Sequence, residues 1–231
     1  MTLAAIDLAL AHRLRPTDFS VEPGERVALI GPNGSGKTSL LRALAGIAGT
    51  ARSLRVSGEE LTRHAPARRA RLVSFLPADR TIHWAIPVHD LLRLSPAPPD
   101  EARLEALIER LQLGHFLDRP ANALSTGERA RVLVARALAA GARHLLLDEP
   151  HANLDPYWVL TLRELLGEEA AAGRGVVAAL HDLSQIDAFD RLVLMRKQRI
   201  VADGPRIELQ HSDTIARVFD LRRSDDGTMQ L

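Results

Sequence analysis

The segment from residue 31 to residue 38 restricts the fold of this chain more than any other feature. It reads Gly31-Pro32-Asn33-Gly34-Ser35-Gly36-Lys37-Thr38 and directly follows an apolar run, Val27-Ala28-Leu29-Ile30. Glycines let successive backbone N–H groups curl around phosphate oxygens, and a following helix adds the positive end of its dipole. In such a loop the lysine supplies charge for the outer phosphates, and the threonine hydroxyl can ligate Mg²⁺. The spacing therefore predicts a strand, a loop and a helix that bind a nucleoside triphosphate.

The composition is ordinary for a globular protein and gives no global sign of a nucleic-acid partner. Of the 231 residues 46% are hydrophobic, and 30 Lys plus Arg against 29 Asp plus Glu give a net charge of +1. The chain has no cysteine, which excludes disulfides and thiolate metal sites and is consistent with a reducing cytoplasm. We see no signal peptide, and no apolar stretch approaches the ~18 residues of a membrane span. We expect a soluble protein whose role at any membrane depends on a partner.

Strand and helix patterns alternate over most of the chain. Apolar or alternating runs predict strands at residues 6–10, 19–21, 26–30, 72–76, 145–147, 176–180, 191–195 and 199–203. Helical periodicity and capping residues predict helices at residues 37–45, 101–111, 126–138 and 157–172. Strands that alternate with helices form a mostly parallel sheet covered on both faces, so the predicted class is α/β. The helical stretch from residue 88 to residue 138 interrupts this alternation and indicates an inserted helical subdomain.

A second informative segment is Leu145-Leu146-Leu147-Asp148-Glu149-Pro150. An apolar strand that ends in two carboxylates places them at the carboxyl edge of the sheet, where α/β folds hold their ligands. Asp148 suits the positioning of Mg²⁺, and Glu149 is free to orient an attacking water. By itself this segment is also compatible with the capped start of a loop, but together with the phosphate loop it favours hydrolysis.

The third segment, Leu124-Ser125-Thr126-Gly127-Glu128, directly precedes a predicted helix. Its hydroxyl and N–H groups at a helix N-terminus suit an anion site. Ser125 with Glu128 three residues on equally matches a capping box, which serves the helix alone. The residues by themselves leave both interpretations open.

The order of these motifs, followed by Asn153-Leu154-Asp155-Pro156 and by His181 after an apolar strand, resembles the ATP-binding cassette (ABC) ATPases. The resemblance covers nearly the whole chain. It implies a P-loop NTPase core with a mostly parallel sheet, an N-terminal antiparallel β portion and an inserted helical subdomain. The implied organisation is one domain over 1–231, with the nucleotide-binding core at 1–77 and 140–205, the helical subdomain at 78–139 and a C-terminal tail at 206–231.

The resemblance also implies a head-to-tail pair of copies that traps two ATP molecules with Mg²⁺. The phosphate loop, Gly31 to Thr38, would bind ATP; Thr38 and Asp148 would hold the metal; Glu149 and His181 would be catalytic. The facing copy would contribute Ser125, Thr126, Gly127 and Glu128. Asn153-Leu154-Asp155 matches the family's loop for communication across the interface.

The end of the chain, including His181-Asp182-Leu183-Ser184, resembles the ATPases of iron-siderophore, haem and cobalamin importers. This implies transmembrane permease subunits as partners, a solute-binding protein only indirectly, and a place on the inner face of the cell membrane through the permease. The segment 81–88 would form the groove for the permease's coupling helix. The alternative is a nucleotide-gated regulatory module with slow hydrolysis. A DNA or ribosome role is the weaker third interpretation, because ABC proteins of that kind usually carry long coiled-coil inserts or tandem cassettes, which this sequence does not show.

Three departures from the family pattern motivate the alternative of a regulatory module with slow hydrolysis. Ala78 stands where the family has a glutamine that contacts Mg²⁺ and water, and only neighbouring Asp79 offers a substitute. In the family's Leu-Ser-Gly-Gly-Gln segment, Thr126 and Glu128 replace a glycine and the glutamine. No aromatic residue precedes Phe19 to stack on adenine, which leaves His12 or Arg13 for that contact.

Two further features have a structural and a functional interpretation. Trp84 in the segment 81–88 is favoured as a core aromatic over an exposed docking contact. The basic run from Arg63 to Arg71 is favoured as a solvated helix face over a binding patch.

Overall fold

The computed structural model describes residues 1–220 and the backbone of two further short strands. The strands are β1 (Leu3–Leu10), β2 (Leu14–Val21), β3 (Arg26–Ile30), β4 (Ser53–Val56), β5 (Glu59–Glu60), β6 (Val73–Leu76), β7 (His144–Asp148), β8 (Gly175–Leu180), β9 (Arg191–Arg196), β10 (Arg199–Pro205), β11 (Arg222–Arg223) and β12 (Met229–Gln230). The α-helices are α1 (Lys37–Leu44), α2 (Pro66–Leu72), α3 (Val88–Arg93), α4 (Glu101–Arg110), α5 (Thr126–Ala139), α6 (Pro156–Ala171), α7 (Arg206–Leu209) and α8 (Asp213–Val218). The predicted tail at 206–231 therefore lies partly outside the described residues.

A six-stranded sheet in the order β10-β9-β3-β8-β7-β6 forms the centre of the fold. The five strands from β9 to β6 are parallel, and β10 pairs antiparallel with β9. Strands β7 and β8 are buried along their whole length, which is why they read as unbroken apolar runs rather than alternating ones. The predicted α/β class with a mostly parallel sheet is confirmed.

The register of this sheet brings four loops to one edge. At that edge Ile30 pairs with Leu180, Asp148 pairs with Ala179, and Leu76 of β6 pairs with Leu147. Because the strands are parallel, the segments that follow β3, β6, β7 and β8 all leave the sheet on the same side. Residues distant in sequence therefore meet there.

The second sheet, β2-β1-β4-β5, is antiparallel, as expected for the N-terminal portion. Its first two strands are longer than the predicted ranges 6–10 and 19–21, since Leu3 already pairs with Val21 and Leu10 with Leu14. The two strands pair with shifts in register, which breaks the alternation of buried and exposed positions that sequence analysis relies on.

Two hydrophobic clusters cover the faces of the large sheet. Val27 and Leu29 of β3 face a cluster with α1 and the antiparallel sheet, whereas Ala28 and Ile30 face one with α3, α4, α5 and α6. The helices α3 to α5 all fall between β6 and β7, so the predicted helical insertion exists. The residue bounds of the subdomains stay a prediction.

In the described part of the chain, no helix is long and apolar enough to cross a membrane. The basic run forms α2 and its approach, with Arg63, Arg68 and Arg71 exposed, as expected for a solvated face. Arg69 instead turns inward and donates to the carbonyl oxygens of Ala45 and Gly46 at 3.3 and 2.7 Å.

Candidate nucleotide site

The phosphate loop connects β3 to α1 and depends on glycine at two positions. Gly36 has φ +107° and is the N-cap of α1, with no side chain bonded to the first N–H groups of the helix. A Cβ on Gly31 would lie 2.2 Å from the carbonyl oxygen of Met195. The free N–H groups at the start of an eight-residue helix therefore point into the loop, which is the arrangement that receives phosphate.

Lys37 is buried in this loop, and its Nζ donates to the carbonyl oxygens of Gly31 and Pro32 at 2.5 and 3.4 Å. Burial lowers the pKa of Lys37, while the neighbouring Glu149 and Asp148 act in the opposite direction. The ammonium group thus lies between the loop and two acidic side chains, next to the place where phosphate would bind.

A cavity of about 380 Å³ opens above the loop and joins residues from five parts of the chain. Its lining residues are His12, Arg13, Asn33, Gly34, Ser35, Gly36, Lys37, Thr38, Ser39, Glu149, His181 and Gln198. This volume suits a small organic ligand. The β9–β10 turn is fixed against the loop because the Gln198 N–H donates to the Ser35 carbonyl at 2.9 Å. Among these lining residues there is no Phe, Tyr or Trp, and His12 and Arg13, the residues predicted to contact adenine, both line the cavity.

Asp148 ends β7 and is 1% exposed. Burial raises the pKa of Asp148, and a hydrogen bond with the Thr38 side chain opposes this rise. Its Oδ2 atom is buried without a hydrogen-bond partner. A hydroxyl beside an unpartnered carboxylate oxygen is the hard-oxygen donor set that Mg²⁺ prefers. Thr38 and Asp148 therefore fit a metal ion that a nucleotide would bring.

Glu149 follows directly and faces the cavity with His181. The Nε2 atom of His181 lies 2.6 Å from Oε1 of Glu149. Glu149 has φ +51°, a left-handed conformation rare outside glycine, and its N–H donates to the Ala179 carbonyl at 3.1 Å. The strained turn directs the carboxylate toward the cavity and the imidazole, and such strain is found preferentially at functional sites.

The segment around Ser125 has both halves of the predicted capping box. The Ser125 Oγ accepts from the Glu128 N–H at 3.3 Å, and Glu128 Oε2 accepts from the Ser125 N–H at 2.8 Å. The hydrogen bond from the Ser125 backbone N–H is the main cause of a lowered pKa of Glu128, and the Ser125 side chain and the nearby Arg119 lower it further. Glu128 is therefore engaged within its own helix. Ser125 and Thr126 are exposed and do not line the cavity, so one copy of the chain does not bring them to its own phosphate loop.

The interpretation of Asp79 as a replacement ligand is not supported by the geometry. Its Oδ1 accepts from the Thr81 N–H at 2.9 Å, and hydrogen bonds with Thr81 lower the pKa of Asp79. Asp79 lines a different space, an apolar groove of about 430 Å³ beside β6 and α5. Neither Ala78 nor Asp79 lines the cavity above the phosphate loop.

The same groove corrects the interpretation of Trp84. Its side chain is not in the core but 77% exposed at the groove, whereas Ile82 and Ile86 of the same irregular segment pack against the core. Sequence reasoning also missed Arg80, which is 8% exposed and donates to carbonyl oxygens after β7. No signal in the sequence marked it, since Arg80 lies between the polar residues Asp79 and Thr81.

Comparison with known proteins decides the family. Residues 14–152, more than half of the chain, match the family model described as ABC transporter. The chain belongs to the ABC transporter family. It is an ATP-binding subunit of the kind that hydrolyses ATP, and its resemblance to this family, predicted from the sequence, is confirmed.

Relatives with curated names cover most of this ABC subunit. The hemin import ATP-binding protein of Streptomyces coelicolor is 38% identical over 213 residues, which is 88% of this chain and 76% of that protein. That of Chelativorans sp. is 36% identical, over 90% of this chain and 85% of the relative. A cobalamin import ATP-binding protein of Halobacterium salinarum is 34% identical over 94% of this chain and 57% of its own length.

Solved structures support the same fold. The structure of an ATP binding subunit of an ABC transporter matches with a TM-score of 0.81 and 25% identity, over 94% of this chain and 92% of that chain. A nucleotide-free ATP-binding cassette matches with a TM-score of 0.78 and 20% identity, over 94% and 98%, and bears on the fold alone.

Proposed function

We propose that this subunit powers a bacterial importer for an iron-siderophore, haem or cobalamin-type solute. The observation that carries the proposal is the similarity to hemin and cobalamin import proteins over about nine-tenths of the chain. Nothing in these similarities favours the alternative of a regulatory module with slow hydrolysis. The solute itself would be selected by other subunits.

In the proposed reaction, the phosphates of ATP bind to the loop from Gly31 to Thr38, through the backbone N–H groups of all its residues except Pro32 and through the Lys37 ammonium. Thr38 and Asp148 would hold Mg²⁺, which would supply positive charge against the charge that develops on the phosphate oxygens. Glu149 orients and polarises the attacking water. His181 fixes the Glu149 carboxylate through the 2.6 Å contact and faces the outer phosphate.

The site would be completed by a second copy of the chain in head-to-tail orientation. Support for this comes from Ser125 and Thr126, which are exposed at the N-terminus of the 14-residue helix α5 and outside their own cavity. In the pair, Ser125, Thr126, Gly127 and Glu128 of one copy would face the nucleotide of the other. ATP binding would close the pair and hydrolysis would reopen it.

The membrane partner would dock in the apolar groove beside β6 and α5, which places the subunit on the inner face of the membrane. Trp84 is the most exposed large hydrophobic side chain among the described residues and lies at this groove. Large aromatic side chains of this kind dominate many docking contacts. Replacing Trp84 with alanine should weaken co-purification with the permease while leaving the ATPase rate of the isolated subunit unchanged.

A Glu149→Gln variant tests the catalytic proposal. It should bind ATP and accumulate ATP-bound pairs, measured by size-exclusion chromatography, while steady-state hydrolysis is abolished. Turnover near the wild-type rate would refute the role of Glu149.

Solute uptake in vesicles that contain the permease, tested with haem, a ferric siderophore and cobalamin in turn, decides the cargo. An absence of uptake of all three would refute the proposed solute class.

A further inference from the structure

Arg80 connects the loop after β6 to the turn after β7. Its two terminal guanidinium nitrogens donate to the carbonyl oxygens of Glu149 at 2.5 Å and Ala152 at 2.7 Å. The side chain is almost completely buried, and burial lowers the pKa of Arg80 while nearby Glu149 and Asp148 oppose that effect. A buried cation costs free energy unless it is well bonded, so these two hydrogen bonds maintain its position.

The turn that Arg80 binds determines where the Glu149 carboxylate points. The Ala152 N–H donates to the Glu149 carbonyl at 3.0 Å and closes the turn, in which Glu149 has φ +51°. Arg80 donates to the same Glu149 carbonyl oxygen. A left-handed residue persists only where its surroundings determine it. Arg80 is thus one of the groups that hold the strained peptide and, through it, the contact with His181.

Arg80 also lines the apolar groove beside β6 and α5. Arg80 lines this groove together with Ile82 and Trp84, two and four residues further along the chain. Arg80 therefore lies between the groove and the Glu149 carbonyl. Ala78, two residues before Arg80, has no polar side-chain atom for such a contact.

We propose that Arg80 is a positioning residue for ATP hydrolysis, which holds the main chain of Glu149 in the conformation that directs its carboxylate toward His181. The inference rests on the proposed role of Glu149. It requires that loss of Arg80 lowers turnover without weakening nucleotide binding, because the phosphate loop is built by other residues.

The test compares Arg80→Gln and Arg80→Lys with Arg69→Gln in the isolated full-length chain. Arg69 is a matched control because its guanidinium also binds two carbonyl oxygens of a turn, but those of Ala45 and Gly46. Measurements are kcat and KM for MgATP, the equilibrium Kd for ATP and the midpoint of thermal unfolding.

We expect Arg80→Gln to lower kcat on the order of 10- to 100-fold, the effect of a misplacement of about 1 Å, with the Kd for ATP within about threefold. Arg80→Lys keeps the charge but loses the fork of donors, so it should restore part of kcat. Arg69→Gln should lower the unfolding midpoint with kcat unchanged. If Arg80→Gln does not fold, Arg80→Lys is used for the test instead, and its kcat and its Kd for ATP are compared with those of the wild type.

Wild-type kcat in a folded Arg80 variant would overturn the inference, and so would equal losses of kcat and ATP affinity. Glu149→Gln in the same assay separates this failure from a failure of the proposed site. If Glu149→Gln is inactive while Arg80 variants turn over normally, only the role of Arg80 is refuted. If Glu149→Gln remains active, the proposed catalytic site itself is refuted.

Discussion

The Nε2 atom of His181 lies 2.6 Å from Oε1 of Glu149, across an edge of the sheet where two adjacent parallel strands end. The two residues are 32 positions apart in the chain and meet because β7 and β8 are neighbours in register. The contact restricts the direction of the Glu149 carboxylate.

We expect His181→Ala to lower the ATPase kcat about 10²- to 10³-fold, because the water-orienting carboxylate loses the group that holds it. The affinity for ATP should change little, since Lys37 and the loop N–H groups stay in place. Steady-state kinetics and equilibrium nucleotide binding check this, with His115→Ala as a control histidine outside the cavity. A kcat near the wild-type value would contradict the role of the contact.

Two glycine-to-alanine substitutions should have opposite effects. Gly31→Ala places a Cβ 2.2 Å from the Met195 carbonyl oxygen, so the loop must move and both stability and ATP affinity should fall. Gly167 lies inside α6 with open space around it, so alanine there should raise the free energy of unfolding by ~0.5–1 kcal/mol. Chemical denaturation and ATP titration measure both. Equal behaviour of the two variants would contradict the close approach at Gly31.

Asp148→Asn should abolish hydrolysis but stabilise the nucleotide-free protein. Because burial raises the pKa of Asp148, its ionised form destabilises the folded state, and this penalty appears as the pH rises from about 3.8 through the raised pKa. Asparagine has no such penalty, so the thermal midpoint at neutral pH should rise by about 2–4 °C. The difference from wild type should shrink at acidic pH. A lower midpoint for the variant at neutral pH would argue against a net cost of ionising Asp148 in the folded protein.

His144, at the start of β7, predicts a pH dependence of stability. Burial lowers the pKa of His144 from 6.5 to about 4. The unfolded state therefore binds more protons between these values, and stability falls as the pH drops from about 6.5 to about 4, by up to ~3 kcal/mol in total. His144→Gln keeps a donor for the Met1 carbonyl, which His144 contacts at 2.9 Å, but does not titrate. Denaturation at several pH values should show a shallower dependence in this variant, and an unchanged slope would contradict the assignment.

The contiguous motifs could be predicted from the sequence because their chemistry is local. Two such motifs are the glycine loop between an apolar run and a helix, and the apolar run that ends in Asp148 and Glu149. Each predicts the same local structure and chemistry wherever its strand lies in the sheet. The capping box of Ser125 and Glu128 is likewise complete within four residues. The α/β class and the family followed from the order of such segments.

Features that depend on partners far along the chain were not predictable in this way. Arg80 bonds main-chain carbonyl oxygens, which every residue possesses, so no pattern in the sequence marks its partners 69 and 72 residues away. Trp84 is exposed, and the Asp79 carboxylate accepts a hydrogen bond from the nearby Thr81 N–H instead of facing the cavity. Both outcomes depend on the path that an irregular segment takes over the surface. An irregular segment has no periodic pattern, so its sequence does not indicate which hydrophobic side chains face the core and which face solvent.

The phosphate loop and the two carboxylates were thus set by short-range chemistry, since backbone geometry and residue type suffice for each. Only the tertiary structure decided that Lys37, Asp148, Glu149 and His181 share one edge, because strand order and register place them there. The tertiary structure likewise placed Arg80 between that edge and the groove, since burial of a charge requires acceptors that only the folded chain provides.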